Sequence, residues 1–248
     1  MAAFDAAVET WEADMLEMDV RRTRDGEVVV IHDERVDRTT DGSGPVSELT
    51  LAETQTLDAG FRFVDPDGAA SFRGQGVRIP RFEDVLTAYP TTRINVEAKE
   101  PAVADALVEI ILRHDAQDRV LVAAEYERSR RSVRHYPGPW GASRHHILLF
   151  WFLHRLPWGA GYTPGADVLQ VPERHGGMRI VTPAMVRAAH GRNLPVQVWT
   201  VDDPVDMRRL LSWGVDGIQT DRPDLLARVL VEELGRPRPP GLREGGGP

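Results

Sequence analysis

No cysteine occurs among the 248 residues. Disulfides and thiolate metal ligation are therefore excluded, and the composition fits a reducing, cytoplasmic setting. Lysine is almost absent: the 30 basic residues are all arginine except Lys99. An excess of positive charge is missing as well. Thirty basic against 38 acidic residues leave a net charge of −8, which argues against a nucleic-acid partner, because phosphate backbones select basic faces. No apolar run approaches the roughly 20 residues that span a bilayer. The longest, ILLFWFL at 147–153, is expected to be a core helix or strand. Its flanks, SRHH before and HR after, leave open a contact of 147–158 with a membrane surface. The opening MAAFDAAVETWEADMLEMDV has acids where a secretory leader has bases, so no signal peptide is expected.

What is present is an alternation of strand and helix. Thr182 caps a predicted helix whose first residue is Pro183 and whose stop is Gly191. PVQVWTV (195–201) reads as a strand, followed by Asp202 or Asp203 as cap and Pro204 opening the next helix. VDGIQT (215–220) is a short strand, and Pro223 opens the last helix. Upstream, TTRINVEAK and RVLVAAEY are strands around the amphipathic AVADALVEIILRH, and Thr50 with Glu53 forms a capping box. Residues 128–180 are less periodic. This pattern predicts one α/β domain with a parallel sheet over residues 1–234, compatible with an open doubly wound sheet or a closed barrel. The tail GRPRPPGLREGGGP (235–248) has too little apolar content to fold and is expected to be disordered.

Two strands carry chemistry on one face. In LEMDV (16–20), side-chain alternation sends Glu17 and Asp19 one way and Leu16, Met18 and Val20 the other. Such a carboxylate pair is either a wet edge face or the oxygen ligands of a hard divalent cation. INVEAKE (94–100) repeats the geometry with Asn95, Glu97 and Lys99. Glu97 would be a third carboxylate, and Lys99 a compact point charge for a phosphate oxygen, where an arginine fork needs more room. His32 follows the β-forming EVVVI and precedes Asp33, a setting suited to proton transfer near neutral pH. Trp199, near the end of its strand, is either core or an apolar wall for a substrate's carbon skeleton. TDGSGPV (40–46) lacks the strand–loop–helix setting of a phosphate loop and reads as a turn.

Together MAAFDAAVE, LEMDVRRTRDGEVVVIHDERVDRTTDGSGPV, FRGQGVRIPRFEDVL, INVEAKE, VQVWTVDD and GVDGIQTDRPDLL resemble the glycerophosphodiester phosphodiesterase family, above all its cytoplasmic bacterial members. The resemblance implies a TIM (β/α)8 barrel and metal-dependent hydrolysis of a small glycerophosphodiester to glycerol 3-phosphate and an alcohol. It implies magnesium or calcium held by Glu17, Asp19 and Glu97, His32 as one of two catalytic histidines, and Lys99 on the phosphate. Trp199 would line the glycerol side, with Gln170 in the pocket wall. The family's first strand, with its His-Arg pair and following loop, has no counterpart in residues 1–248. The expectation is therefore a barrel short of one strand and impaired turnover by this polypeptide. A lysophospholipase D using ILLFWFLHRLPW, and a relative that binds metal and phosphate without turnover, are the alternatives.

Overall fold

A computed structural model describes residues 1–65, 67–124, 126–132, 134–156 and 159–243. Within the chain two compact units are distinguished, residues 1–4 with 15–138, and residues 5–14 with 139–248. The chain opens on a helical turn, α1 (Ala2–Asp5), continued by one wider turn to Thr10.

The first unit is built on a mixed four-stranded sheet in the order β2-β1-β3-β4. Its strands are β1 (Met15–Arg22), β2 (Val28–Val30), β3 (Arg93–Ala98) and β4 (Val120–Ala123). β1, β3 and β4 are parallel, and β2 runs antiparallel to the end of β1. Alternation holds as expected: Leu16, Met18 and Val20 are buried while Glu17 and Asp19 are not. Thr50 and Glu53 form the capping box of α2 (Leu51–Thr54). A short helix, α3 (Phe82–Ala88), precedes β3. Behind the sheet lies α4 (Pro101–Arg113), whose Val103, Leu107 and Ile111 are fully buried. Each such side chain is worth roughly 1.5–3 kcal/mol of burial. α5 (Glu127–Ser132) closes the unit.

The second unit holds a parallel three-stranded sheet in the order β5-β8-β9. It is preceded by α6 (Arg144–Leu153). β5 (Leu169–Pro172) leads into the hairpin β6 (Arg174–His175) and β7 (Met178–Arg179). α7 (Pro183–His190) begins where Thr182 Oγ1 accepts the Met185 amide, as predicted. β8 (Val196–Trp199) is followed by α8 (Pro204–Ser212), capped by Asp203 rather than Asp202. β9 (Gly217–Ile218) is shorter than VDGIQT suggests, and α9 (Pro223–Leu234) stops at Gly235 in the left-handed region, φ 65°. One core joins Phe150, Leu169, Val171, Met185, Val198, Met207 and Leu210.

Among the described residues no closed eight-stranded barrel forms; the parallel strands belong to two separate sheets. The tail is placed as far as Arg243: Arg236 pairs with Asp14 at 2.7 Å, and Pro240–Leu242 forms a turn whose Gly241 lies against Trp11. A Cβ on Gly241 would approach the Trp11 ring to 2.5 Å, so this contact needs glycine. Residues 244–248 of the expected disordered tail lie outside the described residues.

Candidate active site

Within the first unit, parallel pairing sets Glu17 opposite Asn95 and Asp19 opposite Glu97. Register partners on adjacent strands point to the same face, so four polar side chains form a square over the sheet. Lys99, one residue beyond β3, closes it. Its Nζ lies 2.9 Å from Asp19 Oδ1 and 3.0 Å from Glu97 Oε2. These three side chains are only 14–21% exposed. Burial acts to lower the Lys99 pKa, but the Glu97 and Asp19 carboxylates outweigh it and raise the pKa above the usual lysine value. The ammonium is therefore charged across the physiological range and bridges two strands. A guanidinium, broader and planar, would not enter such a gap as a point charge.

Asn95 is 2% exposed, and its Oδ1 has no hydrogen-bond partner among the described residues. An orphaned amide oxygen at this depth is costly unless something occupies it. Its neighbours in the square are carboxylates, so the donor set is all oxygen, the preference of a hard divalent cation. The chemistry of the residues fits magnesium or calcium. The described side chains are not gathered into a three-ligand cluster, since Lys99 provides the positive charge between Asp19 and Glu97.

His32 lies just past β2, where the Ile31 amide donates to the Asp19 carbonyl at 2.9 Å. The strand predicted to end at His32 thus stops at Val30, and the imidazole projects with 62% of its side chain exposed. Arg21 Nε donates to the His32 carbonyl. His32 Nδ1 sits 2.7 Å from Asp33 Oδ1. A carboxylate only accepts, so Nδ1 carries the proton and Nε2 faces outward for exchange. Asp33 is itself gripped by Arg38, whose Nε and Nη2 both donate to it. These bonds from Arg38 and then His32 hold the Asp33 pKa down at about 2.

In the second unit Gln170 is buried and donates from Nε2 to Gln197 Oε1 at 3.0 Å. The two are register partners on β5 and β8, and Gln197 leans over Gly217 of β9. A Cβ at Gly217 would meet Gln197 Cγ at 3.0 Å. Trp199 is two residues further on the same face and is 43% exposed, so it is a surface indole rather than core. Asp221, at the end of this sheet, has its pKa raised by burial and then by Asp202.

Sequence reasoning set Glu17 and Asp19 on one face of their strand and Asn95, Glu97 and Lys99 on one face of theirs. It noted Asp33 beside His32, and took Gln170 and the glycerol-side role of Trp199 from the family resemblance. It passed over Gln197 and Arg38. Alternation alone would have found Gln197 beside Trp199. Nothing in the spacing marks Arg38 as the partner of Asp33.

A profile of the glycerophosphoryl diester phosphodiesterase family matches residues 1–134 and 149–225. The chain belongs to that family. Its members are phosphoric diester hydrolases, and the fold of solved relatives is TIM-barrel-like α/β. The "Probable glycerophosphodiester phosphodiesterase 2" of Mycobacterium tuberculosis is 36% identical over 222 residues, 87% of this chain and 79% of that protein. A glycerophosphodiester phosphodiesterase of Caldanaerobacter subterraneus is 33% identical, covering 93% of this chain and 90% of its own. Among solved structures, a glycerophosphodiester phosphodiesterase from Agrobacterium tumefaciens aligns with TM-score 0.71 and 25% identity over 92% of this chain and 91% of that one. An Oleispira antarctica phosphodiesterase in complex with the product sn-glycerol-3-phosphate aligns with TM-score 0.68 and 22% identity, over 89% and 86%.

Proposed function

We propose that this chain hydrolyses small glycerophosphodiesters to glycerol 3-phosphate and an alcohol with the help of a divalent cation, magnesium or calcium. The observation that carries the reading is the polar square of Glu17, Asp19, Asn95 and Glu97 with the Lys99 ammonium at its edge. Family membership supports it, as does the product held by the Oleispira antarctica relative.

Glu17, Asp19 and Glu97, with the orphaned Asn95 oxygen, would hold the cation. When bound, the cation supplies Lewis-acid neutralisation of a phosphoryl oxygen. Lys99 contributes a second positive charge to the phosphate as negative charge builds in the transition state, the kind of preorganised stabilisation that dominates such sites. Either water attacks phosphorus directly, or the neighbouring glycerol hydroxyl attacks to give a cyclic phosphodiester that water then opens to glycerol 3-phosphate. The nucleophile gives up a proton, the bond from phosphorus to the alcohol oxygen breaks, and the leaving oxygen takes a proton. His32 Nε2 carries out proton transfer at one end of this sequence, with Asp33 fixing its tautomer. In the second unit the exposed Trp199 indole offers an apolar wall, and the Gln170–Gln197 amide pair a polar one beside it.

The test is release of glycerol 3-phosphate from glycerophosphocholine, with chelator, magnesium and calcium arms. Metal-dependent release that Glu97→Gln abolishes supports the reading. Tight binding of glycerol 3-phosphate with no release would replace it with a non-catalytic phosphate-binding relative.

A further inference from the structure

The apolar run at 147–153 is a helix, and only part of it is core. Phe150 is 1% exposed, and Ile147 and Trp151 pack against the second unit's core, yet Leu148 and Phe152 are 55% and 57% exposed. At about 3.6 residues per turn, Arg144, His145, Leu148, Phe152 and, just past the helix end, Arg155 fall within an arc of about 100°. All five are exposed, and Phe150 lies on the opposite side. The outward stripe of this helix thus runs cation, imidazole, leucine, phenylalanine, cation. Arg155 stacks on the Trp151 ring, its guanidinium carbon 3.6 Å from the centroid, and so is held at that end of the stripe.

Charge selects what can cover this stripe. The chain carries −8 overall, yet residues 139–166 contain no Asp or Glu while holding Arg144, His145, His146, His154 and Arg155. A second copy docking across a two-fold axis would lay this acid-free stripe on itself and bring cation against cation. An anionic lipid surface complements it, with Leu148 and Phe152 entering the acyl boundary and the flanking arginines at the headgroups.

We propose that α6 is an interfacial anchor that docks this protein reversibly on anionic lipid bilayers. The inference does not depend on the diesterase reading, since docking is measured without turnover. The experiment is co-sedimentation of the full chain with vesicles of phosphatidylcholine alone, or of roughly three parts phosphatidylcholine to one part phosphatidylglycerol. Binding to the anionic vesicles is expected, falling with added salt and weak on the neutral ones. Leu148→Gln with Phe152→Gln should cut it by about tenfold or more. Arg144→Gln and Arg155→Gln should each cost about fivefold, with the larger loss at low salt. All four positions are exposed, so circular dichroism should show an unchanged fold. No sedimentation with anionic vesicles, equal binding to neutral ones, or undiminished binding by the Leu148/Phe152 variant would each overturn the proposal. So would a dimer in analytical ultracentrifugation that this double variant dissolves without any vesicle binding.

Discussion

The two sheets of this protein present polar faces of opposite character. On β1 and β3 the face is ionic: three carboxylates, a buried amide and an ammonium. On β5, β8 and β9 it is neutral: two glutamines bonded to each other, a glycine and an exposed indole. Charges concentrated on one sheet suit the stabilisation of a phosphoryl group, and a neutral amide–indole face suits recognition of hydroxyls and carbon. The difference teaches where to look for rate and where to look for affinity.

The ionic sheet should therefore yield rate effects. His32→Ala is expected to lower kcat by about 10²–10⁴-fold, with KM nearly unchanged, in a steady-state assay on glycerophosphocholine. Lys99→Met should lower kcat/KM by about 10²–10³-fold. Without metal it should also destabilise the fold by about 2 kcal/mol, because Asp19 and Glu97 would face each other uncompensated. Urea denaturation with and without magnesium reads this directly, and the added ion should restore more stability to the variant than to the wild type. An equal response in both would break the idea that one cation replaces another at this pair.

The neutral sheet should yield affinity effects. Trp199→Ala is expected to raise KM about tenfold while moving stability by less than about 0.5 kcal/mol, since the ring is substantially exposed. A loss of kcat alone would blur the division between the sheets. The smallest effect belongs to Asp33. Its pKa is depressed to about 2, so the stability it contributes is present above the unfolded value near 4 and is lost as pH falls from about 4 towards 2. With a quarter of its side chain exposed, screening limits this to about 1 kcal/mol. Asp33→Asn should remove that part of the acid denaturation curve.

Local chemistry made much of the fold legible. The Thr50/Glu53 box, prolines at the first turn of α7, α8 and α9, and Gly235 in the left-handed region are all short-range signals. Alternation placed Glu17 and Asp19 on the polar side of β1 for the same reason. Strand pairing is long-range and was not legible: nothing within INVEAKE says that Glu97 meets Asp19, the register on which the Lys99 bridge depends. The outward side of α6 was hidden too, because Phe150 and Phe152 are the same residue type with opposite fates. Arg38 was missed since its bond to Asp33 runs through a turn with no periodicity.

The lone lysine has a practical consequence. Amine-acylating reagents find two targets in this polypeptide, the N-terminus and Lys99. Held between two carboxylates with its proton tightly retained, the Lys99 amine is a poor nucleophile, so it should be acylated slowly in the native state and quickly in urea. The mass of a single tryptic peptide then becomes a clock for the opening of the Asp19–Lys99–Glu97 bridge, readable in the unmutated protein.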